Sequence, residues 1–69
     1  MSGPAEIFVR GKRGAFVASH AEVEGPWLHA SGRWALRCGA DGERRYVGPP
    51  DEQRHTWPYD QVTEVRWSA

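Results

Sequence analysis

His20, His29, His55 and Cys38 are the residues of this chain whose types could hold a metal or carry nucleophilic chemistry. Their spacings match no common zinc pattern, in which ligand pairs recur roughly two to four residues apart. His20 and His29 could face each other across a hairpin between Val23 and Trp27, but lone histidines on strands are usually surface residues. A dyad of Cys38 with a histidine would need a thiol of depressed pKa. Cys38 falls in phase with Trp34 and Leu36, on the face expected to point inward, where cysteine behaves as a small inert hydrophobe. Gly11-Lys12-Arg13-Gly14 has neither the length nor the following helix of a phosphate loop. The carboxylate pairs Glu22/Glu24 and Asp51/Glu52 fall in loops or on strand exteriors. The expectation is a protein that is not an enzyme and holds neither metal nor cofactor.

Two other groups of side chains could bind rather than react. Trp57 and Tyr59 flank Pro58, and with Trp27 they could form an exposed aromatic surface. The competing reading is that these rings pad a core poor in aliphatics, since Leu28, Leu36 and Ile7 are the only leucines and isoleucine. The second group is basic: Arg10, Lys12 and Arg13, then Arg33, Arg37, Arg44 and Arg45. Arg10, Lys12, Arg13, Arg44 and Arg45 lie on or beside two turns, residues 11–14 and 39–42. We expect these turns at opposite ends of the fold, because Asp41 and Glu43 already dilute the second. Nine basic and nine acidic residues give a net charge of zero, which argues against a dedicated nucleic-acid binder.

The elements that must position these residues read as strands. Residues 1–4 look like a flexible N-terminus, and residues 5–69 like one domain. Residues 6–10 alternate, with Ile7 and Val9 on one face and Phe8 on the other. Residues 15–23 and 27–30 flank the breaker Gly25-Pro26 and suggest a hairpin. Ser31-Gly32 reads as a bulge or short turn. Residues 34–38 place Trp34, Leu36 and Cys38 inward and Ala35 and Arg37 outward. Residues 44–47 return the chain, and Gly48-Pro49-Pro50-Asp51 is a loop. Residues 53–57 end at Pro58, which has no N–H for a ladder. Tyr59-Asp60-Gln61-Val62 is long enough for one 3₁₀ turn. Residues 63–67 put Thr63, Val65 and Trp67 on one face, with Val65 and Trp67 substantially buried. No window has a helical period. The expected fold is all-β: one small barrel of five or six short antiparallel strands, closed to remove its edges.

A chain of 69 residues buries only about 60% of its unfolded surface. Four Trp, two Phe and two Tyr must supply most of the core. A single cysteine allows no internal disulfide, which suits an intracellular, cytoplasmic protein. The N-terminus lacks the apolar region of a signal peptide, and no run approaches the roughly 20 residues of a membrane span. Eight Arg against one Lys suit a GC-rich, bacterial genome.

Strand, proline, one-turn corner and closing strand together resemble the C-terminal end of SH3-like barrels. In that group a Pro-Ser-Asn-Tyr-Val segment often occupies the corner. Pro58-Tyr59-Asp60-Gln61-Val62 keeps the Pro and the Val at the same spacing. The likeness is at the level of fold. The chain lacks the Ala-Leu-Tyr-Asp-Tyr run, the acidic first loop and the Trp-Trp pair of signalling SH3 domains, so proline-peptide binding is not implied. Other small barrels of this shape, Tudor-like and KOW-like, bind modified peptides, polymerase or nucleic acid, and a shared barrel does not imply a shared function. The expectation is a small interaction module that binds a protein partner through Trp57, Tyr59 and Trp27. The alternative is weak nucleic-acid contact through Arg10, Lys12, Arg13, Arg44 and Arg45. Edge strands could also pair between two copies.

Overall fold

Apolar residues recur at every second position, and glycine or proline interrupts each run, so the chain folds as short antiparallel strands. The computed structural model describes residues 2–38 and 42–68, the side chains of Arg37 and Cys38 excepted. The strands are β1 (Ser2–Val9), β2 (Ala15–Glu24), β3 (Trp27–Cys38), β4 (Glu43–Val47), β5 (Gln53–Pro58) and β6 (Val62–Trp67). One 3₁₀ turn, Tyr59–Gln61, separates β5 from β6. Among the described residues no helix is long and apolar enough to cross a membrane. The inward phase of Cys38 and most of the turn at 39–42 lie outside the described residues.

The sheet order is β4-β3-β2-β1-β6, and β5 also pairs with β3. β3 is the longest strand and organises the rest. One edge lies along β2, from Glu24 opposite Trp27 to Ala15 opposite Ala35. Its other edge is divided: residues 27–32 pair with β5 and residues 34–38 with β4. Gly32 sits at this seam, with no room for a side chain. A Cβ there would collide with the Val17 carbonyl oxygen and lie 2.7 Å from Ala18 Cα. The expected bulge at Ser31-Gly32 is therefore misplaced. β3 runs straight through, and the register shift falls between Ala18 and His20, so the extra residue is Ser19 on β2.

The inner face holds Ala5, Ile7 and Val9 of β1, Phe16, Ala18 and Ala21 of β2, and Leu28 and Ala30 of β3. Phe16, Ile7 and Leu28 are fully buried. Trp34, Trp57, Val65 and Trp67 pack against this cluster but stay partly exposed. Val65 and Trp67 are partly buried against this cluster, in keeping with their inward phase, and among the described residues β6 pairs with β1 alone.

Two further expectations are corrected. The frayed start does not hold for Ser2-Gly3-Pro4, which belong to β1, with Ser2 opposite Glu22 and Gly3 opposite Ala21. The Ser68 N–H also donates to the Pro4 carbonyl at 2.9 Å. Closure of the ladder fails as well. Among the described residues β6 pairs with no strand but β1, and β5 with no strand but β3. Pro58, with φ −58° and no N–H, ends the β5 ladder. A backbone corner spans the gap instead: Tyr59 N–H donates to the Pro26 carbonyl at 2.7 Å, and Arg10 N–H to the Gln61 carbonyl at 2.8 Å.

Candidate functional site

Strand alternation decides where the three aromatic candidates go. Trp27 stands opposite Pro58, and Leu28 opposite Trp57. Leu28 is buried, so Trp57 shares its inward phase, and Trp27 and Pro58 turn outward. Trp57 joins a cluster of rings. It stacks on His55 with centroids 5.3 Å apart and planes 6° apart, and meets Phe16 edge-on at 5.3 Å and Trp34 at 6.1 Å. Such arrangements are the favoured ones for aromatic quadrupoles. Trp57 is thus a member of the core wall and separates from its two companions. Trp27 remains 44% exposed and Tyr59 42%. The Tyr59 N–H bond to the Pro26 carbonyl brings the corner to the start of β3. Trp27, Pro58 and Tyr59 therefore sit at one end of the molecule as a shelf on fixed backbone.

Polar residues continue from this shelf along the same outer face. His29 Nε2 lies 3.3 Å from Glu24 Oε1, and Nδ1 lies 2.8 Å from Thr56 Oγ1. A carboxylate only accepts, so Nε2 carries a proton, and in the neutral ring Nδ1 accepts from the Thr56 hydroxyl. His20 does not face His29. It stands opposite Ser31, with its Nε2 3.8 Å from Glu22 Oε2, while Glu22 is the residue opposite His29. His55 is on the inner face, hydrogen-bonded to Gln53 at 3.1 Å. Among the described residues no three His, Cys, Asp or Glu side chains converge as metal ligands.

The basic residues behave differently from expectation. The turn at 11–14 and the adjoining ends of β3 and β4 are at the same end, which brings Lys12 and Arg13 to Arg44 rather than apart from it. The cause is antiparallel pairing. Ala15 faces Ala35, so the residues before Ala15 lie at the same end of the sheet as the last residues of β3 and the β4 residues paired with them. Lys12, Arg13 and Arg44 rim a groove of about 570 Å³, with Phe8, Ala15, Val17, Ala35 and Leu36 as its apolar floor. Arg44 Nη2 reaches Glu6 Oε1 at 3.0 Å across this floor. Gly14, with φ +78°, holds the turn tightly against β3. A Cβ there would strike the Ala35 carbonyl oxygen and lie 2.7 Å from Leu36 Cδ2. Arg10 and Arg45 do not line the groove. Arg10 Nη2 donates to the Asp60 carbonyl at 3.4 Å, and Arg45 is exposed opposite Leu36.

The groove floor is what reading the sequence missed. Phe8 and Val17 are apolar residues on the outward phase of their strands, and that is the signal that could have found it. Phe8 on the floor and Tyr46 on β4 each carry a cation. The Arg66 guanidinium lies 5.2 Å from the Phe8 centroid and Arg33 lies 4.7 Å from that of Tyr46. Arg66 is also held above its ordinary pKa by its hydrogen bond and charge interaction with Glu64. Set beside known proteins, the chain matches no family model, no curated protein and no solved structure.

Proposed function

We propose that this protein is a small, non-catalytic interaction module with an SH3-like barrel plan, working in the cytoplasm of a bacterium and binding a protein partner through Trp27, Pro58 and Tyr59. The observation that carries the reading is the exposure of two large aromatic rings on either side of a proline. Trp and Tyr dominate binding hot spots because they bury much area for little lost rotamer freedom. Pro58 and the Tyr59–Pro26 backbone bond fix the shelf before any partner arrives, which lowers the ordering cost of binding. Trp57 contributes from beneath, as the inward neighbour that anchors β5. The strand, proline, 3₁₀ turn and last strand laid on β1 support the SH3-like plan.

The test compares the parent chain with the Trp27→Ala/Tyr59→Ala double variant. Partners pulled down by the parent from its native cell are purified and titrated against both. The reading predicts that the double variant loses at least about tenfold in affinity while keeping the parent's spectrum. Undiminished binding by the double variant would sink it. A second reading, weak nucleic-acid contact, is favoured by one observation: Lys12, Arg13 and Arg44 share a groove. Against it, Arg10 and Arg45 lie elsewhere and Arg44 already meets Glu6. We therefore expect no oligonucleotide binding tighter than the non-specific range of roughly 10⁻⁴–10⁻⁶ M at physiological salt. Submicromolar binding with a steep salt slope would reverse the ranking.

A further inference from the structure

We propose that the groove between the β1–β2 turn and β4 is a second binding site, distinct from the aromatic shelf, and that it takes an acidic peptide segment bearing an aliphatic side chain. The groove combines two features that rarely coincide on a small surface. Its floor is apolar, and its volume of about 570 Å³ lies within the roughly 300–1,000 Å³ typical of ligand clefts. Its rim is cationic: among the described residues that line it, Lys12, Arg13 and Arg44 contribute three positive charges against the single carboxylate of Glu6. Among the described residues the Lys12 and Arg13 side chains have no carboxylate partner, so an incoming acid displaces nothing there.

Glu6 and Arg44 supply the template for recognition. A carboxylate already meets Arg44 at 3.0 Å over the apolar floor, which is the contact a ligand carboxylate would make at Arg13 or Lys12. An aliphatic side chain set beside that carboxylate would fall on Ala15, Val17 and Ala35. The alanines are what leave room for it, since a larger residue at either position would fill the trough. A nucleic acid suits this floor poorly. Bases bind by stacking on exposed rings, but Phe8 is the only ring lining the groove among the described residues, and it is already paired with the Arg66 guanidinium. Glu6 would also repel a phosphate chain, whereas one peptide carboxylate can be placed away from it.

The proposal is tested by following backbone amide resonances while adding a synthetic peptide of alternating glutamate and leucine. Shifts should concentrate at Lys12, Arg13, Val17 and Ala35 and spare Trp27 and Tyr59. The Lys12→Glu/Arg13→Glu variant changes exposed turn residues only, so it should fold as the parent does. It should weaken binding at least about tenfold, equivalent to about 1.4 kcal/mol. The Trp27→Ala/Tyr59→Ala variant should bind the peptide as the parent does, so the fate of this proposal is separable from that of the shelf. Three controls can overturn it: a glutamine–leucine peptide, a single-stranded oligonucleotide and decanoate. Equal binding of the neutral peptide would remove the role of charge. Tighter binding of the oligonucleotide or of decanoate would give the groove to nucleic acid or to a lipid. No shift at the groove amides with millimolar acidic peptide would refute the site outright.

Discussion

β4 and β5 pair with the same edge of the same strand, yet they live in different environments. Every second residue of β5 is partly buried, whereas all five residues of β4 are exposed. Their hydrogen bonding to β3 is of one kind, so pairing does not account for the difference. What lies beneath them does. β5 crosses the ring cluster and contributes His55 and Trp57 to it. β4 extends past that cluster and is held by its edge. Backbone pairing alone gives a strand its place, and side-chain burial gives it its stability. The two candidate surfaces inherit this contrast. The shelf stands at the end of the anchored strand, and Arg44 of the groove comes from the unanchored one.

The largest effect should come from the seam where both strands meet β3. Gly32→Ala places a methyl group against the Val17 carbonyl oxygen, and neither backbone can retreat without breaking the β2–β3 ladder. Overpacking of side chains costs about 1–3 kcal/mol, and a clash with backbone belongs at or above the top of that range. A domain of this size has only about 5 kcal/mol to lose. Chemical denaturation should find the variant largely unfolded. A parent-like midpoint would mean that the two halves of β3 adjust independently.

Trp57→Ala comes next and tests the anchored side. It removes one of the rings that close on Phe16, and should cost about 3 kcal/mol, the low end for truncating a large aromatic, since Trp57 is only partly buried. Trp67→Ala should cost less, about 2 kcal/mol, because Trp57 is held by three rings while Trp67 stands at the end of the edge strand β6. If Trp67 proved the more costly of the two, the molecule would be anchored at β6 and not at β5.

This contrast also marks where the sequence was legible. The β4 and β5 strands, the Gly25-Pro26 hairpin and the 3₁₀ corner follow from alternation and from Gly and Pro, which are local signals, whereas the start of β1 at Ser2 and the continuity of β3 through Ser31-Gly32 do not. Inward and outward phase on β5 follows too, so Trp57 could have been separated from Trp27 by counting from Leu28. The groove could not be read the same way. It depends on the β2–β3 register, which brings Ala15 opposite Ala35 and so gathers Arg13 and Arg44 at one end. A single extra residue, Ser19, shifts that register within the strand, and nothing about a serine between Ala18 and His20 announces it. Closure is not a local property either: Pro58 marks the end of a strand, but that the ladder stays open beyond it depends on where β5 and β6 lie in the sheet.

Tyr46→Ala tests the unanchored side. Tyr46 is 44% exposed, and its ring sits under the Arg33 guanidinium. An exposed cation–π contact is worth about 0.5–1 kcal/mol. The loss should be offset in part, because Arg33 Nε, which has no hydrogen-bond partner, gains access to water. Thermal unfolding should therefore change by less than about 1 kcal/mol, well below the effect of Trp57→Ala. A loss comparable to that of Trp57→Ala would show that β4 is anchored through its outer face, and the contrast between the strands would collapse.

Arg44→Gln should have the smallest effect on stability. The pair with Glu6 is partly exposed, at 37% and 21% for the two side chains, and exposed ion pairs contribute about 0–1 kcal/mol. Glu6 keeps other interactions when Arg44 is gone, so no carboxylate is left stranded. Backbone bonds from Trp34 opposite Val47 to Cys38 opposite Glu43 still hold β4 in place. The melting temperature should fall by no more than about 4–8 °C, the shift that 1 kcal/mol produces in a domain of this size. Amide exchange in β4 should stay fast and nearly unchanged, because side chains contribute little to its protection. A large drop in melting temperature, with β4 amides newly unprotected, would mean that the ion pair spanning the groove fastens the strand. The groove would then be a structural clasp between β1 and β4, and its cations would not be free to meet a ligand.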